Sequence, residues 1–154
     1  MLIDKMRPQD QFAIERYMGR PVPLVLRKTA VARKTGGGPA VGHVCHNLTD
    51  AHRGSIVSIG AKSQYISSAI PALLGWLADK YRGRQFVALV IEDQSALQVA
   101  MREAGWHCFG TVAALKDYLD GLLFVSHRHP GDTNRALVAL FGAGTPLKEP
   151  SHVD

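Results

Sequence analysis

Residues 63–71, "SQYISSAIP", place two serines and an alanine where a strand-like stretch gives way to a helical pattern. The start of a helix exposes backbone N–H groups that no carbonyl of the helix can accept, and the helix dipole adds positive potential there. Such a corner is a ready anion site. Pro71 has no N–H and is tolerated only in a first turn, so the helix is expected to begin near Ser67 or Ser68, with one of them as its cap. An ordinary serine-capped helix start with no ligand fits the same residues. A second stretch, "HVCH" (43–46), offers imidazole and thiol together. On a strand His43 and Cys45 share one face and His46 takes the other. At most two ligands converge, so zinc would need His52, His107 or Cys108 brought in by folding. Half-buried strand side chains are the simpler account, and no metal is expected. "KTGGGPAVG" (34–42) has the glycines of a phosphate loop but neither its trailing Gly-Lys-Ser/Thr nor a following helix, so it is expected to be a hairpin turn.

These residues need a scaffold, and the chain bounds what it can be. Its 154 residues suit one domain. With 46% hydrophobic and 20% charged residues a folded core is expected. The longest clean apolar run, "FVALVI" (86–91), is far below the ~18 residues of a membrane span, and the N-terminus lacks the apolar stretch of a secretory signal. Cys45 and Cys108 are the only cysteines and show no CxxC spacing. A reducing, cytoplasmic setting is the expectation. The net charge of +5 is scattered, with Arg27, Lys28, Arg33 and Lys34 its densest group. Nucleic acid is therefore a possible partner and not the favoured one.

The hydrophobic pattern predicts a short helix over 9–18, strands over 21–35, 40–50 and 55–61 joined by turns as an antiparallel meander, and then a change of period. Ile66, Ala69, Ile70, Leu73, Leu77 and Tyr81 mark the buried face of a helix of about four turns. Residues 84–93 form a nearly all-apolar strand suited to a sheet centre. Residues 94–105 form a second amphipathic helix, with Leu97, Ala100, Met101 and Ala104 inward and Gly105 as its C-terminal cap. Strands over 106–112 and 121–129 close the sheet, with "AALKDYLD" between them as a loop or helical turn. His127 and His129 share a face of the last strand and are expected in solvent. The order predicts one α/β domain over residues 1–141, a mixed and mostly antiparallel sheet flanked by helices, with 142–154 a flexible tail.

This order resembles the GNAT superfamily of acyl-CoA-dependent N-acetyltransferases over about residues 20–130. That family holds the cofactor pyrophosphate on a loop of pattern [QR]-x-x-G-x-[GA] at the start of the central helix. Here "QYISSA" supplies Gln64, Ser67 and Ala69, with Ser67 in place of the glycine. "QSALQVAMREAGW" (94–106) is similar to the family's Asn…Ala…Tyr…Gly-Phe, and "GWHCFGTV" to its closing strand. The resemblance implies acetyl-CoA or another acyl-CoA as co-substrate and an amine as acceptor. Backbone groups at Val57, Ser58 and Ile59 would pair with the pantetheine arm. Gln64, Tyr65, Ile66, Ser67, Ser68 and Ala69 would hold the pyrophosphate, with Gln94 also at the cofactor. His46 and His107 are the candidates for general base. Met101 stands where relatives place the tyrosine that protonates the leaving thiolate, and strand 55–61 has no carboxylate. The resemblance therefore also admits a catalytically inactive binding protein.

A rival comes from "VIED" and "HRHPG", which look like parts of a receiver domain. Its phosphoacceptor would fall near Ser126, which cannot form an acyl phosphate. About 25 residues after Pro130 are too few for two further strand–helix units, since each crossover alone takes about a dozen or more residues besides its strand. Only a degenerate receiver-like interaction domain is compatible with that reading.

Overall fold

The computed structural model describes residues 1–116, 119–126 and 147–148. His127, His129 and the expected tail 142–154, apart from Leu147–Lys148, lie outside the described residues. The elements run β1 (Leu2–Lys5), α1 (Asp10–Met18), β2 (Thr29–Arg33), β3 (Ala40–Leu48), β4 (Arg53–Ala61), α2 (Ile66–Lys80), β5 (Gln85–Ile91), α3 (Ser95–Glu103), β6 (His107–Lys116), β7 (Leu119–Val125) and β8 (Leu147–Lys148). Strand order across the sheet is β1-β2-β3-β4-β5-β7-β6-β8. The β1–β2, β2–β3, β5–β7, β6–β7 and β6–β8 pairs are antiparallel, and β4–β5 is parallel over Arg53–Ser55. The sheet is mixed and mostly antiparallel, as expected. The receiver-like alternative needs a parallel sheet, and the antiparallel β5–β7 and β6–β7 ladders overturn it.

The chain divides into two compact units, one of Met1–Asn47 with Ile56–Gly83 and one of Leu48–Ser55 with Arg84–Asp154. In the first, helices cover both faces of β3. Tyr17 of α1 meets His43, while Ala69 of α2 lies against Gly42. Neighbouring strand residues point to opposite faces, so α1 and α2 lie on opposite sides. Of the anticipated stripe on α2, Ala69, Ile70, Leu73 and Leu77 are buried, with Leu74 beside them, while Ile66 and Tyr81 at its two ends are half-buried. On the α1 side, Met6, Ile14, Val31 and Ala40 form an apolar cluster with Tyr17, Met18 and Leu24 packed on it. Arg33 of β2, 2% exposed at its side chain, ties α1 down through Asp10 at 2.7 and 2.6 Å.

In the second unit Val87, Leu123 and Val125 form a core with Leu89 and Phe109 against it. Arg102 of α3 places its guanidinium 5.4 Å from the Phe124 ring centre. The α3 helix ends as its glycine predicts. Gly105 takes φ +90, its N–H reaches the Arg102 carbonyl at 3.0 Å, and the Trp106 N–H reaches that of Met101 at 3.0 Å.

Several boundaries differ from expectation for physical reasons. The strand expected over 21–35 is confined to Thr29–Arg33. Pro21 and Pro23 have no N–H for a ladder, and Leu26–Lys28 forms a 3-10 turn. β1 is only four residues long, too short for its alternation to announce it. β6 extends through residues 113–116, where a loop or helical turn is expected, because irregular pairing carries its ladder on to Lys116–Leu119.

Candidate functional site

Strand β4 leads through Lys62 and a 3-10 turn, Ser63–Tyr65, directly into α2. The helix begins at Ile66, with Tyr65 at the cap position and no side-chain cap bond. The expectation of a start at Ser67 or Ser68 with a serine cap is corrected. The 3-10 turn, closed by the Tyr65 N–H on the Lys62 carbonyl at 2.8 Å, sets the first α-turn early. Pro71 then lies inside the helix, where it forfeits the bond to the Ser67 carbonyl. Ser67 is exposed, so water can serve that carbonyl instead. Ser68 turns its hydroxyl back to the Tyr65 carbonyl at 3.2 Å. The Ser67 hydroxyl has no hydrogen bond to protein among the described residues.

The start of α2 is held close to the sheet. A Cβ built on Gly42 of β3 would lie 3.0 Å from the Ala69 Cβ, 3.3 Å from the Ala61 Cβ and 3.4 Å from the Gly60 carbonyl oxygen. Glycine is what lets the helix approach. Two cations lie at this end. Lys62 precedes the 3-10 turn, and Lys34, one residue beyond β2, places its ammonium 5.3 Å from the Tyr65 ring centre. The amides of the first turn thus stand at an exposed corner with Lys34 beside it, which is chemistry for an anion. Lys34 is visible in the sequence only as part of a basic group, and the β2–β3 pairing brings it here.

On the α1 side, His43 is fully buried between two hydroxyls. Its Nδ1 lies 2.6 Å from Tyr17 OH and its Nε2 lies 2.8 Å from Ser58 Oγ on β4. Burial, with the nearby Arg20 charge, lowers the His43 pKa to about 4, so the ring is neutral near pH 7. Burial, with Asp10 nearby, pushes the Tyr17 phenol well above its ordinary range. Tyr17 also lines an open groove of about 490 Å³ with Phe12, Arg16, Pro39, Ala40 and Lys62. From sequence, His43 is expected as a half-buried strand residue, and Tyr17 has no expected role in a site. The signal available for the pair is limited to an inward histidine on one strand and a helix tyrosine on the matching face.

No family model matches this sequence, and no curated protein matches it. Solved structures do. NAA60 of Arabidopsis thaliana in complex with acetyl-CoA aligns with a TM-score of 0.61 at 16% identity, covering 80% of this chain and 96% of that one. YncA of Salmonella typhimurium with its cofactor acetyl-CoA gives 0.63 at 15% identity, covering 84% and 95%. The ribosomal-protein-alanine N-acetyltransferase of Brucella melitensis gives 0.62 at 17%, covering 81% and 98%. This chain has the GNAT N-acetyltransferase fold.

The motif residues fall on that fold as follows. Gln64 and Tyr65 lie in the 3-10 turn, and Ile66, Ser67, Ser68 and Ala69 head α2, with Ala69 buried and both serines exposed. Val57, Ser58 and Ile59 lie on β4 and, like these six, belong to the first unit. Val57 is 56% exposed, a large apolar side chain left open on the strand. Gln94 stands at the N-cap position of α3 in the second unit, makes no side-chain cap bond and is exposed. Met101, which the sequence resemblance sets against the GNAT tyrosine, is wholly buried in α3. His46 is 3% exposed and lies 3.0 Å from Tyr81 OH, beyond the end of α2. His107 opens β6 opposite Val125 and is partly exposed. The two histidines belong to different units. His43 and His46 turn to different helices, and among the described residues no three His, Cys, Asp or Glu side chains group as metal ligands.

Proposed function

We propose that this chain binds acetyl-CoA or another acyl-CoA and transfers the acyl group to an amine, with residues 1–141 acting as one domain of the GNAT type. The observation that carries the reading is the exposed start of α2, reached directly from β4, within this fold. The first-turn amides at Ser67 and Ser68 take the pyrophosphate, with Lys34 adding charge that a polyanionic cofactor favours. The β4 backbone at Val57, Ser58 and Ile59 receives the pantetheine arm. Gln64, Tyr65, Ile66 and Ala69 complete the proposed cofactor contacts within this unit. Two of the solved relatives are described with acetyl-CoA, which agrees with this assignment.

Backbone N–H groups near Ser58–Gly60 polarise the thioester carbonyl. Transfer to a neutral amine needs little further acid–base help when the two reactants are held together. Of the two histidines proposed as base, His107 has surface with which to meet a substrate, while His46 is closed off by burial. The buried Met101 favours a second reading, a CoA-binding protein with no turnover, because methionine cannot protonate a departing thiolate. Release of CoA thiol from acetyl-CoA, measured with a polyamine, with lysine peptides and with peptides of free N-terminus, separates the two. One amine class raising thiol release above the acceptor-free rate supports transfer. Acetyl-CoA binding with no stimulation by any class supports the second reading.

A further inference from the structure

On the acyl-CoA reading, the Tyr17–His43–Ser58 chain bears on the bound thioester. A neutral imidazole carries one N–H and one lone pair. With Tyr17 OH 2.6 Å from Nδ1 and Ser58 Oγ 2.8 Å from Nε2, one hydroxyl must donate to the ring and the other must accept from it. The two hydroxyls compete unequally. A phenol is a far stronger acid than an aliphatic alcohol, and it is the poorer acceptor because its oxygen shares a lone pair with the aromatic ring. Tyr17 also makes the shorter contact. Tyr17 therefore donates to Nδ1, Nε2 carries the proton, and the ring donates to Ser58 Oγ.

This order fixes what Ser58 can do. Its oxygen already accepts from His43, so its own hydrogen must point away from the ring. Among the described residues Ser58 has no other side-chain hydrogen bond, and it is only partly buried. Its O–H is therefore free for a ligand on β4. Ser58 cannot hand its proton to His43, since the ring's lone pair is taken, so it is neither a nucleophile nor a base. We propose that the Ser58 hydroxyl is a catalytic hydrogen-bond donor to the carbonyl oxygen of the bound acyl thioester, with His43 and Tyr17 as positioning residues that keep it a donor. A donor placed in advance, where the oxygen gains charge, stabilises the transition state without reorganisation.

Infrared spectroscopy of acetyl-CoA carrying an isotope-labelled carbonyl, bound to the full chain, reads this bond directly. The bound band should lie at lower wavenumber than the free one. Ser58→Ala should move it back toward the free position while calorimetry still shows acetyl-CoA binding. Ser58→Thr should keep the shift, and Tyr17→Phe should lose part of it. Failure of the wild-type chain to bind acetyl-CoA would refute the acyl-CoA reading itself. Binding with the same band in wild type and Ser58→Ala would refute the donor role alone. Proton–nitrogen correlation NMR of the ligand-free chain tests the chain's direction. A proton on His43 Nε2 is expected, and one on Nδ1 would overturn the proposal, as would an acetyl group found on Ser58 by mass spectrometry.

Discussion

Gly42 on β3 and Ala69 on α2 meet so closely that a Cβ on the glycine would lie 3.0 Å from the alanine's own Cβ. The two neighbours that would have to yield, the Ala69 and Ala61 methyls at 3.0 and 3.3 Å, are fixed directly to backbone and cannot give easily. Gly42→Ala should cost about 1–3 kcal/mol in chemical denaturation and weaken acetyl-CoA binding by pushing the helix start off the sheet. Gly60→Ala is the comparison. Its Cβ would meet Met18 Sδ at 2.5 Å, toward the far end of a flexible side chain. It should cost less than Gly42→Ala, and the reverse order would show that this helix–strand contact is not the tight one.

Arg33 and Asp10 form a bidentate pair with side chains 2% and 4% exposed. Asp10 also accepts the Arg7 N–H at 2.8 Å, and the Arg33 guanidinium holds its carboxyl below the usual range against the opposing effect of burial. Asp10→Ala leaves a buried guanidinium without its main partner and should cost about 3–5 kcal/mol. Replacing both residues with apolar side chains of similar size should recover much of that loss. Denaturant midpoints of the single and double variants check both statements.

His43 sets an acid limit on stability. In the unfolded chain it takes up a proton near its ordinary 6.5, and in the folded chain only near about 4. Between those values the unfolded state binds more protons, so stability rises with pH across this window and is weakened as pH falls through it. The loss should approach about 3 kcal/mol by pH 4, with no further contribution from this group below. His43→Asn should flatten the slope between pH 6.5 and pH 4 relative to wild type, whatever its effect on stability at pH 7. An unchanged slope would show that the ring titrates normally in the fold.

Much of this architecture is written in hydrophobic period. The stripe from Ala69 to Leu77, the apolar run 86–91 and the glycine after α3 each predict an element that is present. Those signals are local, and they survive because each element buries its own face. What is not legible depends on residues distant in sequence. β1 exists because Leu2–Lys5 pairs with Ala30–Arg33, a partner no local pattern announces. Pro71 misleads because a 3-10 turn, set by the chain leaving β4, begins the helix before the rule for proline applies. The likeness of "QYISSA" to a cofactor loop is readable in sequence, whereas the link from Tyr17 through His43 to Ser58 spans 41 positions and needs the fold.

Lys34 supplies a charge at the start of α2 that the loop motif does not contain. Its ammonium stands 5.3 Å from the Tyr65 ring centre and is exposed, so its effect on a bound anion is screened by salt. Lys34→Ala should weaken acetyl-CoA binding by about 3- to 10-fold at low ionic strength, and by less at high salt. An equal loss at both ionic strengths would point to lost packing on Tyr65 rather than lost charge.

Calorimetric titration with acetyl-CoA, CoA and dephospho-CoA, repeated on Ser67→Glu, tests the acyl-CoA site at the start of α2. Ser67 is exposed at the second position of α2, so glutamate there is compatible with the fold and adds negative charge where the pyrophosphate is assigned. An acyl-CoA site here should give micromolar binding of acetyl-CoA and CoA to the wild-type chain, lost in the variant at unchanged thermal stability. Absence of wild-type binding to all three, or equal binding by Ser67→Glu, would contradict an acyl-CoA site at this helix start.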